Sequence, residues 1–302
     1  MTASAVSTSV ATRPSAPRRR LTRAKRNSLL IHLAAIVVAI AALAPVGYML
    51  LASVTPQREL ITTPLRWIPE TLDVSRYLAI LQGGAASVGA TFRAAMLNSI
   101  VVAVGTVAIS MLVGILGAYA FARLRFRFRR AILVLFLATY MLPQIATLIP
   151  LYLILSSLGL LDTTTGLIFC DCALVVPFVL WILSNYFLTI PVELEEAARV
   201  DGTTRLGALW HVILPAARPG IFAAIMFAFL LAWDEFMYAL IFTSSDNSKT
   251  LPVAISEFAG RYTTDFGLVA AGGLLAALPP LVIAVIFQRY IVSGMAAGSV
   301  KG

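Results

Sequence analysis

The sequence predicts an all-α membrane protein with six transmembrane helices. The chain has 302 residues, of which 60% are hydrophobic and 12% charged, and its mean hydropathy of +0.91 is far above that of a soluble domain. A span needs roughly 20 apolar residues. Six segments meet that length: 29–54, 94–122, 131–157, 163–189, 219–244 and 266–288. We therefore expect residues 29–288 to form one transmembrane domain.

The distribution of Lys and Arg predicts the orientation of that domain. Of 23 such residues, 17 lie before the first span, at 123–130, at 199–218 or after residue 288. An even number of spans places both termini on one side, and the positive-inside rule makes that side cytoplasmic. Residues 52–93 are then an external segment and 190–218 a cytoplasmic loop. The basic termini are better explained by contact with anionic lipid than by nucleic-acid binding.

The two ends of the chain are predicted to be irregular. Residues 1–28 lack apolar periodicity and are rich in Ser, Thr, Ala, Pro and Arg, which is typical of a disordered tail. The apolar run after them continues past the small-residue sequence that ends at Ala44, which favours a retained anchor over a cleaved signal peptide. Residues 289–302 are predicted to be a short cytoplasmic tail.

Small residues and prolines distinguish the second and third spans. Gly105, Gly114 and Gly117 should let the second helix approach its neighbours closely. Pro143 and Pro150 predict a kink or a local unwinding in the third. Such breaks are often found along a transport pathway.

The fourth span contains an ionisable residue between two cysteines. Cys170 and Cys172 point in different directions on a helix, so we interpret them as packing residues rather than as a disulfide or a metal site. Asp171 lies within the span, where an ionisable side chain is rare unless it is paired, hydrated or functional. A role in the substrate pathway and a hydrogen-bonded structural role both remain open.

Two further carboxylates lie in the outer half of the fifth span. Asp234 and Glu235 follow Trp233, and carboxylates beside an indole suit a sugar, whose hydroxyls donate hydrogen bonds and whose C–H face covers the ring. Adjacent positions of a helix point about 100° apart, so only one of the two carboxylates should face a central cavity. Helix packing with a fixed hydrogen bond is the alternative role for these three residues.

A charged segment, Pro191–Gly220, interrupts the apolar sequence between spans four and five. It contains four carboxylates, and we expect them to form a surface for a partner. Pro191 suits the first turn of a helix that Gly202 ends. A second helix capped by Thr203 should then present one apolar face and end at the prolines, with the face formed by Leu206, Leu209, Trp210 and Ile213.

This segment resembles a known family. Glu196-Ala197-Ala198, Gly202 and the later Leu214-Pro215 resemble the EAA loop of ATP-binding-cassette importer permeases, with Val212 where that family usually has Ile. The external segment, the third span and the Trp233-Asp234-Glu235-Phe236 stretch resemble the carbohydrate-type members. Asp234 occupies a position often held by Asn.

The resemblance implies a fold, partners and a location. The fold would be that of a type I ABC importer permease in the bacterial cytoplasmic membrane. The partners would be a second homologous permease subunit, homodimeric ATP-binding subunits and an extracytoplasmic sugar-binding protein. Glu196, Gly202 and Pro215 would belong to a coupling helix that docks on the ATPase, and the C-terminal residues Ser299, Val300 and Lys301 would contact it.

The motifs that are absent favour a transporter subunit over an enzyme. Lys25, Lys249 and Lys301 are the only lysines, and none follows a glycine, so the chain has no phosphate loop ending in Gly-Lys-Ser/Thr. We predict that ATP and Mg²⁺ bind to a partner and that this chain has no cofactor, metal or catalytic residue. A secondary, ion-coupled transporter is the alternative, for which Asp171 and Asp234 could handle ions. A structural scaffold or receptor subunit is a third possibility.

Overall fold

The computed structural model describes the backbone of residues 18–64, 67–84, 87–260 and 264–299, with side chains from residue 27 to residue 288 within those ranges. The chain divides between Met49 and Leu50 into two compact units. The first contains most of helix α1 (Arg18–Val54). The second contains the other helices, which are α2 (Gln57–Leu60), α3 (Ser75–Gln82), α4 (Val88–Arg123), α5 (Arg129–Tyr140), α6 (Gln144–Ser157), α7 (Thr164–Thr189), α8 (Val192–Val200), α9 (Arg205–Ala208), α10 (Leu214–Ala216), α11 (Arg218–Trp233), α12 (Met237–Phe242), α13 (Leu251–Glu257) and α14 (Phe266–Ser299).

By length and composition, the described residues contain four helices that could cross a membrane, or up to six if each of two bent pairs forms one span. The four are Asn27–Val54, Val88–Arg123, Thr164–Thr189 and Phe266–Gln288. The bent pairs are α5 with α6, at 93°, and the segment Arg205–Ala216 with α11, at 82°. The fifth predicted span, 219–244, is divided between α11 and α12.

Parts of the two predicted tails are helical rather than irregular. Residues 18–28 are helical as the beginning of α1, and residues 289–299 are helical as the end of α14. Both extensions continue a long helix whose nucleation is already complete, so each added residue needs only a favourable propagation step. The remaining predicted tail residues, 1–17 and 300–302, lie outside the described residues.

The second unit is centred on the contact between α4 and α7. A Cβ atom on Gly114 would lie 2.5 Å from Cγ1 of Val179, and one on Gly117 would lie 2.7 Å from Cδ1 of Leu180. A Cβ at Gly114 would force Val179 to move, whereas the end of the Leu180 side chain could turn aside at Gly117. The small residues therefore let the two helices pack closely, as the sequence predicted. Cys170 and Cys172 are both buried and form no disulfide, which supports their interpretation as packing residues.

The predicted break in the third span occurs at Met141–Pro143, between α5 and α6. Pro143 is the N-cap of α6, where its missing N–H group has no helical partner to lose. Pro150, in contrast, lies inside α6 without ending it. The break therefore depends on the first proline.

The external segment is joined to the start of α14 by a buried arginine. Arg76 is 6% exposed; its Nε lies 3.0 Å from Oδ1 of Asp265, and its Nη1 donates to the carbonyl oxygen of Thr55 at 2.6 Å. Its guanidinium occupies the space that a Cβ on Gly267 would need. Next to Arg76, Tyr77 donates its hydroxyl to Oγ of Ser53 at 2.8 Å.

A carboxylate also links the turn between α6 and α7 to the loop after α12. Asp162 accepts hydrogen bonds from the backbone N–H groups of Ser244 and Ser245, at 2.9 and 3.0 Å, and from the hydroxyl of Ser248. These bonds stabilise the ionised form. They therefore hold the pKa of Asp162 far below its ordinary value. The largest contribution comes from the N–H of Ser244, the next from the Ser248 hydroxyl and the third from the N–H of Ser245.

Candidate functional site

The charged segment Pro191–Gly220, hereafter the docking segment, begins with a helix and a glycine turn. Helix α8 follows Pro191, as predicted, and its chain reverses at Gly202, whose φ of +90° is a conformation that favours glycine. The hydroxyl of Thr203 donates to the last turn of α8, at the carbonyl oxygen of Ala198 (2.7 Å). The predicted cap of the second helix is therefore one residue off: Thr204 accepts the N–H of Gly207 at 3.1 Å.

The second half of the docking segment contains a wide helical turn. Residues Leu209–Ile213 form a π-helical turn between α9 and α10, and the helical segment ends at Ala216. The predicted stop near Pro215 is confirmed, whereas Pro219 lies in the first turn of α11 rather than ending the preceding helix. Such wide turns inside helices frequently occur at functional sites.

The predicted single apolar face is divided into two. Leu209 and Ile213 are fully buried against the ends of α4 and α7, whereas Leu206 and Trp210 are 57% and 55% exposed. The buried stripe, Leu209 and Ile213, thus packs the docking segment against the helical bundle. The other leaves a large aliphatic and a large aromatic side chain in contact with solvent.

The expectation that all four carboxylates lie on a partner surface is wrong for Glu195. This residue is 7% exposed and accepts the hydroxyl of Tyr119 at Oε1, at 2.6 Å. Its Oε2 lies 3.4 Å from Nε of Arg123, and Nη2 of Arg123 also donates to the carbonyl oxygen of Ile190 at 2.8 Å. A buried carboxylate requires such partners, so Glu195 anchors the docking segment to the end of α4.

The residues predicted to contact an ATPase lie mainly on the opposite side. Glu196, Ala197, Gly202 and Pro215 are exposed, whereas Ala198 and Leu214 are half-buried. Their role in docking stays a prediction. Ser299 lies at the end of α14, and Val300 and Lys301 are outside the described residues.

The fifth span contains a break that the sequence analysis missed. Helix α11 ends at Trp233 and α12 begins at Met237, so Asp234 and Glu235 do not follow helical geometry. The Glu235 carboxylate accepts the N–H groups of Tyr238 at 2.7 Å and Ala239 at 3.0 Å, which satisfies donors in the first turn of α12.

This break opens onto a cavity of about 630 Å³, hereafter the acidic cavity. Asp171, Asp234 and Glu235 all line it, so the expectation that only one of the two adjacent carboxylates would do so is wrong. Gln144 also lines the cavity. Its position directly after Pro143 could have identified it from the sequence as a polar side chain at a helix break. The remaining lining is apolar and aromatic, with Phe178 and Phe227 among it.

Asp171 is the most enclosed of the three carboxylates. It is 2% exposed, and its Oδ1 has no hydrogen-bond partner among the residues that the structure describes. A buried polar atom without a partner is costly. Asp234, in contrast, is an exposed residue of the cavity lining.

Trp233 lies outside the lining of the acidic cavity. Its Nε1 donates to the carbonyl oxygen of Ala276 at 3.2 Å, and its ring stacks on Phe229 at a centroid distance of 5.4 Å. It borders a separate cavity against α14, which Asp234 also reaches. The predicted contact between Trp233 and a substrate remains untested.

A bundle of long and interrupted apolar helices, with a cavity at the interruptions and a polar loop fixed to its end, defines a multi-pass membrane transport protein. The chain belongs to the family described as the binding-protein-dependent transport system inner membrane component, which residues 110–297 match. It is thus a transport permease of an inner membrane.

Curated relatives cover nearly the whole chain. The sulfoquinovosyl glycerol transport system permease protein of Agrobacterium fabrum is 35% identical over 89% of this chain and 93% of its own length. The trehalose/maltose transport system permease protein of Thermococcus litoralis is 34% identical over 91% of this chain and 97% of its own length.

A solved structure has the same fold. One chain of a bacterial ABC transporter involved in the import of the acidic polysaccharide alginate superposes with a TM-score of 0.69, covers 92% of this chain and 100% of its own length, and is 24% identical. The predicted all-α ABC importer permease fold is confirmed.

Proposed function

We propose that this chain is one permease subunit of an ATP-driven, binding-protein-dependent importer and forms half of the pathway for a carbohydrate, with a disaccharide or an oligosaccharide favoured. Relatives named for sulfoquinovosyl glycerol and for trehalose and maltose support the substrate class. The observation that carries the proposal is the docking segment, which is fixed to the bundle on one side and exposes both charged and apolar groups on the other.

The exposed side of the docking segment suits a protein partner. Leu206, Trp210 and Val200 are 57%, 55% and 87% exposed, and Glu196 is exposed as well. Large aromatic side chains are enriched at the centre of protein interfaces. The partner would be a homodimeric pair of ATP-binding subunits, which would bind ATP and Mg²⁺.

The buried side provides a route for mechanical coupling. Glu195 ties α8 to Tyr119 and Arg123 at the end of α4, and Leu209 and Ile213 pack against the ends of α4 and α7. The segment also leads through Ala217 directly into α11, which ends at the acidic cavity. A movement of the docked ATPase would therefore shift helices that line the cavity, in a two-state rocking change between inward- and outward-facing forms.

The remaining subunits follow from the same proposal. A second, homologous permease would complete the pathway, and an extracytoplasmic sugar-binding protein would deliver the substrate. Both termini and the docking segment would be cytoplasmic, in accordance with the excess of Lys and Arg on that side. The exposed apolar helices would contact membrane lipid.

The experiment that tests this function compares energy sources in proteoliposomes containing the whole complex. We expect sugar uptake that requires internal ATP and external binding protein and that a proton gradient cannot replace. Uptake driven by a proton or sodium gradient, without ATP or binding protein, would instead establish the secondary transporter. Omission of the ATPase subunits is the matched control.

A further inference from the structure

We infer that the acidic cavity selects its cargo by charge: this half of the pathway takes saccharides without acidic groups and excludes acidic ones. The inference rests on the proposed function and specifies its substrate class. It also assigns Asp171, rather than Trp233, as the polar contact for the cargo.

The first step is the composition of the cavity lining. Asp171, Asp234 and Glu235 line it, and no Lys, Arg or His does so within the part of the chain that the structure describes. Charges that face a low-dielectric cavity interact more strongly than charges in water. Asp234, the exposed carboxylate of the three, therefore repels an anion that enters the cavity.

The second step is the difference in hydrogen bonding between these carboxylates. Glu235 is occupied by the N–H groups of Tyr238 and Ala239, at 2.7 and 3.0 Å, so its position is fixed by α12. Asp171 is 2% exposed, and its Oδ1 has no hydrogen-bond partner among the described residues. Asp171 is thus the buried lining residue whose carboxyl group keeps hydrogen-bonding capacity for a ligand.

The third step is the chemistry of a matching ligand. A carboxylate accepts a hydrogen bond from a hydroxyl group, and a protonated carboxyl group can both donate and accept. A saccharide hydroxyl satisfies Asp171 in either state, whereas a ligand carboxylate or sulfonate, which can only accept, satisfies the protonated state alone. Phe178 and Phe227 supply apolar surface for the C–H faces of a sugar ring. The volume of about 630 Å³ falls in the ordinary range of small-molecule sites, roughly 300–1,000 Å³.

The inference separates this chain from a protein of the same fold. The solved structure with the TM-score of 0.69 is from an importer of an acidic polysaccharide. The relative named for sulfoquinovosyl glycerol, a sugar whose name denotes a sulfo group, would differ from this chain in the same way, so neither a shared fold nor a shared family determines the charge of the cargo. The cavity carboxylates of the present chain argue for the opposite preference.

Charge selection can be measured without knowledge of the natural cargo. Cys170 and Cys172 are replaced by Ala, and a single reporter cysteine is introduced into the cavity lining as Met237→Cys or, in a second variant, as Leu142→Cys. The assembled complex in membranes is treated with two methanethiosulfonate reagents, one bearing a trimethylammonium group and the other a sulfonate. Each rate is divided by the rate of the same reagent with free 2-mercaptoethanol.

We expect the cationic reagent to react at least about tenfold faster than the anionic one after this correction, because the cavity attracts a cation and repels an anion. A factor of ten corresponds to a free-energy difference of about 1.4 kcal/mol. Asp234→Asn should lower the ratio, and the double variant that also carries Asp171→Asn should bring it close to one. Asp246→Asn is the control, since Asp246 is an exposed carboxylate outside the cavity lining. Glu235→Gln is avoided because Glu235 holds the start of α12.

A ratio near one in the parent, or a ratio that the double variant leaves unchanged, would overturn the inference. Size-exclusion chromatography of each variant checks assembly, and the second reporter position replaces the first if that substitution disturbs it. In a parallel arm, equal ATP-dependent uptake of a neutral and a uronic-acid-containing oligosaccharide would overturn charge selection but not the proposed function. A complete absence of ATP-dependent uptake, with the reagent ratio intact, would overturn the proposed function alone.

Discussion

Two buried carboxylates at different levels of the bundle have different surroundings. Glu195 is 7% exposed and contacts the Tyr119 hydroxyl and the Arg123 guanidinium, whereas Asp171 is 2% exposed and leaves Oδ1 without a partner among the described residues. The first arrangement stabilises a loop on a bundle. The second is costly unless a ligand or a partner completes it. Each residue leaves one oxygen, Oε2 of Glu195 and Oδ1 of Asp171, without a hydrogen bond among the described residues, so the guanidinium beside Glu195, rather than burial, separates the structural carboxylate from the candidate binding group.

The largest expected effect is the loss of the anchor in the docking segment. Glu195→Ala removes the main acceptor of the Tyr119 hydroxyl and the countercharge of Arg123, which should lower the free energy of unfolding by about 3–5 kcal/mol. Thermal unfolding of the purified protein in detergent measures it. The control Glu196→Ala, which changes the adjacent exposed carboxylate, should lie within about 0.5 kcal/mol of the parent. Equal losses in the two variants would refute the distinction.

The opposite sign is expected at Asp171. Asp171→Leu removes a buried carboxyl group whose Oδ1 has no partner among the described residues and should raise the free energy of unfolding by about 1–3 kcal/mol, while sugar uptake falls. Leu replaces the two oxygens by two methyl groups, and the adjoining cavity provides room for their larger volume. The same unfolding assay and a transport assay check the two halves of the prediction. Destabilisation comparable to that of Glu195→Ala would mean that Asp171 has a structural partner.

A smaller effect with a defined pH dependence is expected at Asp162. Because its hydrogen bonds lower the pKa of the folded state below the ordinary value of 3.8, its contribution is fully present above that pH and is lost as the pH falls through the folded pKa. Asp162→Asn should cost about 1.5 kcal/mol at neutral pH. Stability measured between pH 7 and pH 3 should fall less steeply in the variant. Parallel curves for the two proteins would contradict this assignment.

The smallest effect is expected at Trp233. Trp233→Phe keeps the aromatic stack on Phe229 but loses the hydrogen bond to the carbonyl oxygen of Ala276, at a cost of about 0.5–1.5 kcal/mol. The sugar concentration for half-maximal uptake should not change, since Trp233 does not line the acidic cavity. A clear increase would show that this indole contacts the cargo after all.

Much of the fold could be predicted because it depends on local sequence. The length of the apolar runs determines the spans, and the glycines of the second span indicate close packing. The partnership of Glu195 with Tyr119 joins residues 76 positions apart and has no local signal. The break at Asp234–Phe236 also lacks a proline or a glycine, and it depends on the capping of α12 by Glu235. The docking residues could be named from a motif, but their separation into buried and exposed sides required the three-dimensional structure.

The central claim is that the docking segment receives the movement of an ATPase. Gly202 tests it most directly, because its φ is +90° and a Cβ there would meet no atom within 4 Å. Gly202→Asn is the matched control: it introduces a side chain of nearly the same shape as Asp, tolerates positive φ and adds no charge.

We measure ATP-dependent sugar uptake and sugar-stimulated ATP hydrolysis for the assembled complex with each variant. The account predicts that Gly202→Asp loses at least about tenfold of both activities, with normal membrane insertion and thermal stability, while Gly202→Asn retains most of them. Parent-like uptake and ATP hydrolysis with Gly202→Asp would contradict the claim.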